Sequence, residues 1–193
     1  MNATNNSSYK PIPLKAFKAK SEKEMELISK NHLLNMKSRH TIRDFSNKKV
    51  PFSIIKNCIK VACSAPSGAN LQPWHFSIIS SKLVKSKIRK AAEIEEQKFY
   101  DDLKKDEWLK ALEPLGTHAD KPHLEVAPWL IVVFLKRYSQ FSNGKKRKNY
   151  YVPESVGIAT GFLKTALHLS VLFNSHTQFN GFSKQGLQQT IPK

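Results

Sequence analysis

The chain has 193 residues, enough for one domain of ordinary size. Hydrophobic residues make up 40% and charged residues 24%, a globular balance that excludes a disordered chain, and the longest apolar run, residues 129–135, is too short to cross a bilayer. Lys and Arg number 32 against 15 Asp and Glu, a net charge of +17, yet only five cations are Arg and KKRK at 145–148 is the only dense cluster, so charge alone does not make this a nucleic-acid binder.

Residues 1–14 read as a flexible polar tail without the apolar segment of a secretory signal. Ser21 and Glu24 carry a capping-box signature. Met25, Ile28, Leu33 and Met36 follow at helical spacing and predict a helix ending near Ser38. Val50-Pro51-Phe52-Ser53 opens a second helix, with Ser53 as candidate N-cap and Ile54, Ile55, Cys58, Ile59 and Ala62 on its apolar period; Pro66 and Gly68 break it. Cys58 and Cys63, five apart, fit neither a CxxC nor a zinc pattern and read as reduced thiols of a cytoplasmic protein. Residues 74–79 predict a strand and 82–100 a charged helix. Residues 101–122 are polar, anchored by Trp108, Leu109, Leu112 and Leu115, as in a lid or surface helix. WLIVVFL at 129–135 predicts a strand buried on both faces, and SNGKK at 142–146 a turn. Residues 155–172 predict a long helix whose Gly157, Ala159, Gly161 and Ala166 admit a close neighbour, either in the core or at a subunit contact. From Asn174 to Lys193 the character changes: there is no acid, Gln occurs four times, and no strand or amphipathic helix can be drawn.

Three local features can carry chemistry. Arg39 and Arg43 flank His40 and Thr41 directly after a helix, a donor set suited to phosphate; taken alone, they read more simply as cations at the negative end of a helix dipole. Residues 65–74, APSGANLQPW, form an irregular loop in which Gly68 lets a ligand approach backbone amides; an ordinary helix-to-strand connection has the same look. Glu96 and Tyr100 share a helical face, and Lys121 follows beyond the polar stretch. Carboxylate, phenol and ammonium together suit a zwitterion, although a solvated helix face is the simpler reading of that spacing. His118 and His123 have no third ligand at helical spacing, so no metal site is assigned.

Taken together, SRHTIRDFSNKKVP (38–51), CSAPSGANLQPWHF (63–76), IRKAAEIEEQKFY (88–100), APWLIVVF (127–134) and YYVPESVGIATG (150–161) resemble, in order and separation, the flavin-dependent nitroreductase family, on the branch of iodotyrosine deiodinase and its bacterial relatives. The resemblance covers about residues 11–172 and implies an α+β fold, a mixed sheet flanked by helices, over residues 15–173. It implies a homodimer with one FMN at each subunit interface and NAD(P)H as electron donor. The family's phosphate run falls on Arg39, His40, Thr41, Ile42 and Arg43, where His40 departs from the usual second Arg. Its flavin-and-substrate loop falls on Pro66, Ser67 and Gly68, with Ala69 on the substrate side. The branch's substrate-reading trio falls on Glu96 for an ammonium, Lys121 for a carboxylate and Tyr100 between them. The implied activity is reductive dehalogenation of halogenated tyrosines. A general nitroaromatic or quinone reductase and a non-enzymatic basic binding protein are the alternatives. The implied partners are a halotyrosine or nitroaromatic molecule and a second copy of the chain, with neither nucleic acid nor membrane.

The family pattern stops near Leu172. Shifting the reading frame by one base, with allowed codons, converts the tail into TLTPSSMGFLSKA, then one residue, then NRPSQ, which resembles the family's continuation. Residues 174–193 are therefore expected to be an aberrant, frame-shifted tail that leaves the sheet incomplete and impairs activity.

Overall fold

A computed structural model describes residues 12–13, 17–102, 116, 118–140, 143–172 and 174. They fall into two compact units, Met1–Ser38 and Arg39–Lys193. The first holds α1, Glu22–Lys37. Its capping box is as the sequence predicts: the Ser21 hydroxyl accepts the Glu24 amide, and the Glu24 carboxylate accepts the Ser21 amide at 2.9 Å. Ser38 closes the helix as C-cap.

The second unit begins with α2, Phe52–Cys63, which starts earlier than predicted. Its N-cap is Pro51, φ −57°, and Ser53 lies inside the first turn. The proline ring fixes the required φ and needs no amide partner, which a first turn leaves free in any case. A 3₁₀ turn at Gly68–Asn70 leads to β1, Trp74–Ile79. Then come α3 (Lys82–Asp102), α4 (His123–Val126), β2 (Leu130–Leu135), the short strands β3 (Tyr138–Gln140) and β4 (Lys146–Lys148), and α5 (Val152–Leu169).

Strand β1 pairs antiparallel with β2, placing Trp74 opposite Leu135 and Ile79 opposite Leu130. β3 and β4 form a second antiparallel pair. Among the described residues the expected mixed sheet is thus two antiparallel pairs and one parallel bridge, Thr41 to Asn174. Ile55, Cys58 and Ala62 of α2 pack with Leu163 and Leu167 of α5, and Ile78 and Ile131 lie against them. Ala65, Trp74, Val152, Val156 and Ala159 form a second cluster beside Val133. Strand β2 is half-buried rather than buried on both faces. Ile131 and Val133 meet the helices, while the alternate residues lie on the other face of a two-stranded sheet. Ala62 and Ala159 are fully buried, small enough for the helices and sheet to close over them. In α5 the small residues divide: Ala159 faces the core, whereas a Cβ on Gly157 or Gly161 would meet no atom within 4 Å.

No helix among the described residues is long and apolar enough to cross a membrane. Of the lid predicted at 101–122, residues 103–115 and 117 lie outside the described residues, as does the tail beyond Asn174.

Candidate functional site

Residues 39–43 follow α1 outside any helix or named strand. Arg39 is half-buried and its Nη1 is buried without a hydrogen-bond partner. An orphaned charged donor is costly unless an acceptor arrives, and a bidentate guanidinium suits a phosphate. Thr41 bridges to Asn174, whose side-chain oxygen is also buried and unpartnered. His40 and Arg43 are exposed, and Ile42 is half-buried.

The loop after α2 is built on unusual backbone. Ala69 (φ 49°), Asn70 (φ 53°) and Gln72 (φ 46°) are left-handed, as is Tyr151 (φ 50°), the N-cap of α5. Non-glycine residues pay about 1–2 kcal/mol for that conformation, so surrounding structure must hold it. Part of the hold is Ser67, whose hydroxyl accepts the Gln72 amide at 2.9 Å. Gly68 is required by close approach: a Cβ there would stand 2.9 Å from the Tyr151 ring and 3.5 Å from the Tyr150 carbonyl. Its amide points at the hydroxyl of buried Ser155, a long contact of 3.5 Å. Pro66, Ser67 and Gly68 line a cleft of about 240 Å³ with Tyr151, Glu154, Ser155 and Ile158 at the start of α5. The cleft lies at the start of α5 and its lining is mainly apolar, which suits the face of a flat aromatic group. Ala69 is exposed beside it.

The third group lies on α3 and the segment returning to α4. Lys121 is only 7% exposed. Its Nζ stands 3.1 Å from Glu96 Oε2 and donates to the His118 carbonyl at 2.6 Å. Two residues 25 positions apart thus meet as a nearly buried ion pair. Tyr100, one helical turn beyond Glu96, is half-buried with its ring edge-on to Phe99 at 6.0 Å.

His123 links the first and third groups. It is 8% exposed, stacks loosely on Phe45 with ring centres 6.2 Å apart, and its Nε2 is buried without a partner. Burial, then the charges of Lys121, Arg43 and Arg89, hold its pKa below the ordinary 6.5, with Asp120 pulling weakly the other way. The imidazole is therefore kept neutral beside cations from both groups.

Sequence reasoning missed several neighbours. Tyr151 and Ser155 come to Gly68 from more than 80 residues away, and only the run YYVPES pointed to their region. Glu93 has nothing in its local sequence to set it apart from the other acids of α3. In the structure Glu93 Oε1 accepts both Arg89 Nε at 2.6 Å and the Lys121 backbone amide at 2.8 Å. No cluster of residues that could hold a metal ion occurs among the described residues.

Residues 36–169 match the Nitroreductase family. An iodotyrosine deiodinase from Haliscomenobacter hydrossis is 50% identical over 145 residues, which is 74% of this chain and 65% of the relative. One from Hydra vulgaris is 38% identical over 165 residues, 85% of this chain and 61% of the relative. The crystal structure of an oxidized iodotyrosine deiodinase bound to FMN and 3-iodo-L-tyrosine superposes with a TM-score of 0.70 at 30% identity, covering 82% of this chain and 79% of that one. The chain spans under two thirds of the length of the two curated relatives. It belongs to the nitroreductase family and has that family's α+β fold.

Proposed function

We propose that the protein is an FMN-dependent oxidoreductase that removes halide from halogenated tyrosines. The observation that carries this reading is the Glu96–Lys121 pair, 3.1 Å apart and nearly buried, with Tyr100 one turn further along α3. A buried ion pair is costly to keep and gives little net stability, so its retention is best accounted for by a ligand that takes both charges. An amino-acid zwitterion does so: its ammonium replaces Lys121 on Glu96, its carboxylate replaces Glu96 on Lys121, and the Tyr100 hydroxyl hydrogen-bonds at the edge. No net charge is buried in the exchange. The match of residues 36–169 to the Nitroreductase family and the similarity to iodotyrosine deiodinases support the same choice.

The residues present fit FMN. Arg39, with its unpartnered buried Nη1, and Arg43 would hold the phosphate. The loop at 66–69 and the first turn of α5 would border the isoalloxazine, with Gly68 letting the loop close against Tyr151. Bound FMN would supply two electrons that, with a proton, convert the carbon–halogen bond to carbon–hydrogen and release halide. The chain's own part is to bind and orient the phenol and to keep water from it. We assign NAD(P)H as the electron source, a homodimer as the working form, with the exposed Gly157–Gly161 face of α5 available for a close helix contact, and the cytoplasm as its location.

The test is a flavin spectrum of the purified protein, then halide release from 3-iodo-L-tyrosine and reduction of a nitroaromatic side by side. Glu96→Gln should weaken halotyrosine binding about tenfold or more and leave nitroaromatic reduction within twofold, since only the first substrate carries an ammonium. Equal losses on both would favour the general nitroreductase reading, and a colourless protein would overturn the flavin assignment.

A further inference from the structure

Lys85, Arg89, Glu93, Glu96 and Tyr100 recur at four, four, three and four residues, one continuous stripe along α3. The first three hold the segment 120–127 against the helix. Lys85 Nζ donates to the carbonyls of Glu125 at 2.7 Å and Ala127 at 2.8 Å, the end of α4. Arg89 donates to Glu93 and, at 2.6 Å, to Asp120, with Glu125 at 3.7 Å. Glu93 in turn takes the Lys121 amide at 2.8 Å. Lys121 is therefore gripped twice from α3: its backbone by Glu93 and its ammonium by Glu96, one turn apart.

The two grips differ in what a ligand does to them. A zwitterion must displace the Glu96 contact, whereas nothing in that exchange touches Glu93 or Arg89. We propose that Glu93, held and charge-balanced by Arg89, is the positioning residue for Lys121: it fixes the backbone so that the ammonium stays at ligand distance once its bond to Glu96 opens. Asp120 is the second point at which Arg89 ties the same segment. Without this clamp, Lys121 would keep no polar contact to α3 among the described residues at the moment the ligand arrives, and the ligand would bear the cost of ordering it. The assignment rests on the halotyrosine reading for its consequence, but the clamp itself exists in the ligand-free chain.

The experiment uses the full chain with Glu93→Ala and Glu93→Gln. Hydrogen exchange at the Lys121 amide is read without ligand, and binding of 3-iodo-L-tyrosine and of FMN is read separately. Loss of a charged acceptor should speed Lys121 exchange about ten- to a hundredfold in Glu93→Ala and weaken 3-iodo-L-tyrosine by a similar factor. FMN affinity and exchange of the α2 amides should stay within twofold. Glu93→Gln keeps an acceptor and should recover most of the protection and of the affinity, which a merely structural loss of charge would not. Unchanged Lys121 exchange in Glu93→Ala, or faster exchange with unchanged 3-iodo-L-tyrosine affinity, would overturn the proposal. If the parent chain itself fails to bind 3-iodo-L-tyrosine while the exchange effect is present, the halotyrosine reading fails and the clamp on Lys121 stands.

Discussion

Two parts of the second unit differ in how their charged side chains are met. Along α3 and residues 118–127 the charges are paired: Lys85 meets two carbonyls, Arg89 two carboxylates within 2.6 Å, Glu93 an amide, and Lys121 a carboxylate and a carbonyl. Around residues 39–43 and 66–72 the backbone is left-handed at Ala69, Asn70 and Gln72, and Arg39 keeps a buried donor without an acceptor. The hydrogen bonds that Lys85, Arg89 and Glu93 make to the segment 120–127 add to the stability of the free protein, whereas the Glu96–Lys121 ion pair adds little. An unsatisfied donor and strained backbone subtract from it and are sustained only because the core elsewhere can carry them, so they mark where a ligand completes the structure. The first region holds a site in shape, and the second waits to be filled.

Removing one residue from each region separates these roles. Lys85→Met keeps the apolar stem but orphans the carbonyls of Glu125 and Ala127, at roughly 1–3 kcal/mol for each buried acceptor. Thermal or denaturant unfolding of the ligand-free protein should show a loss of about 2–6 kcal/mol, with FMN affinity unchanged. Arg39→Ala should do the reverse. The free protein should unfold as before or slightly later, since an unpaired buried donor is gone, while FMN binding, followed by flavin fluorescence, weakens about ten- to a hundredfold. A large stability loss in Arg39→Ala with intact flavin binding would erase the distinction between the regions.

The two regions were also unequally legible. Helices α1, α2, α3 and α5 and strands β1 and β2 declare themselves through local pattern: the Ser21–Glu24 box, the apolar period of Ile55, Cys58 and Ala62, and the unbroken run of β2. The hairpin β3–β4 did not, because KRK at 146–148 has neither the residues nor the alternation of a strand; its pairing with Tyr138, Ser139 and Gln140 creates it. The meeting of Glu96 with Lys121 spans a polar stretch that carries no period, so the family resemblance, not spacing, brought them into one group. The clamp of Arg89 on Asp120 and of Glu93 on Lys121 joins residues 31 and 28 apart. It left no local trace, because an acid at any α3 position looks like solvated surface. Left-handed backbone at Ala69 is likewise invisible, since alanine, unlike glycine or asparagine, gives no signal for it.

His123 sits where the regions adjoin, and pH should read it. Burial first, then Lys121, Arg43 and Arg89, depress its pKa in the folded chain below 6.5, its value when unfolded. Above pH 6.5 both states hold it neutral, so it adds no pH dependence. As pH falls below 6.5 the unfolded chain takes the proton and the folded chain does not, so stability is lost until the folded pKa is reached. Each pH unit in that window costs at most about 1.4 kcal/mol. Unfolding free energies measured from pH 7.5 down to 5 should fall more steeply for the parent than for His123→Gln, which cannot titrate. Parallel curves would show that the imidazole is not held neutral by its surroundings.

The smallest effect tests the strained loop itself. Ala69 carries a left-handed φ of 49° and is exposed, so its side chain has little packing to lose. Glycine adopts that conformation freely, which should return about 1–2 kcal/mol, while its greater freedom in the unfolded chain takes back about 0.5–1 kcal/mol. Ala69→Gly should therefore stabilise the free protein by up to about 1 kcal/mol, a shift of a few degrees in melting temperature. Gly68→Ala, one residue earlier, should move the other way, because its new Cβ would stand 2.9 Å from the Tyr151 ring, which must turn aside. Overpacking of this kind costs about 1–3 kcal/mol, and the displaced ring borders the cleft, so flavin affinity should fall with stability. Opposite signs at adjacent positions cannot come from loop composition or general flexibility, which would move both variants alike. They require the left-handed backbone at Ala69 and the close approach at Gly68 to be present together, and a destabilised Ala69→Gly would show that the loop is not strained in the free protein.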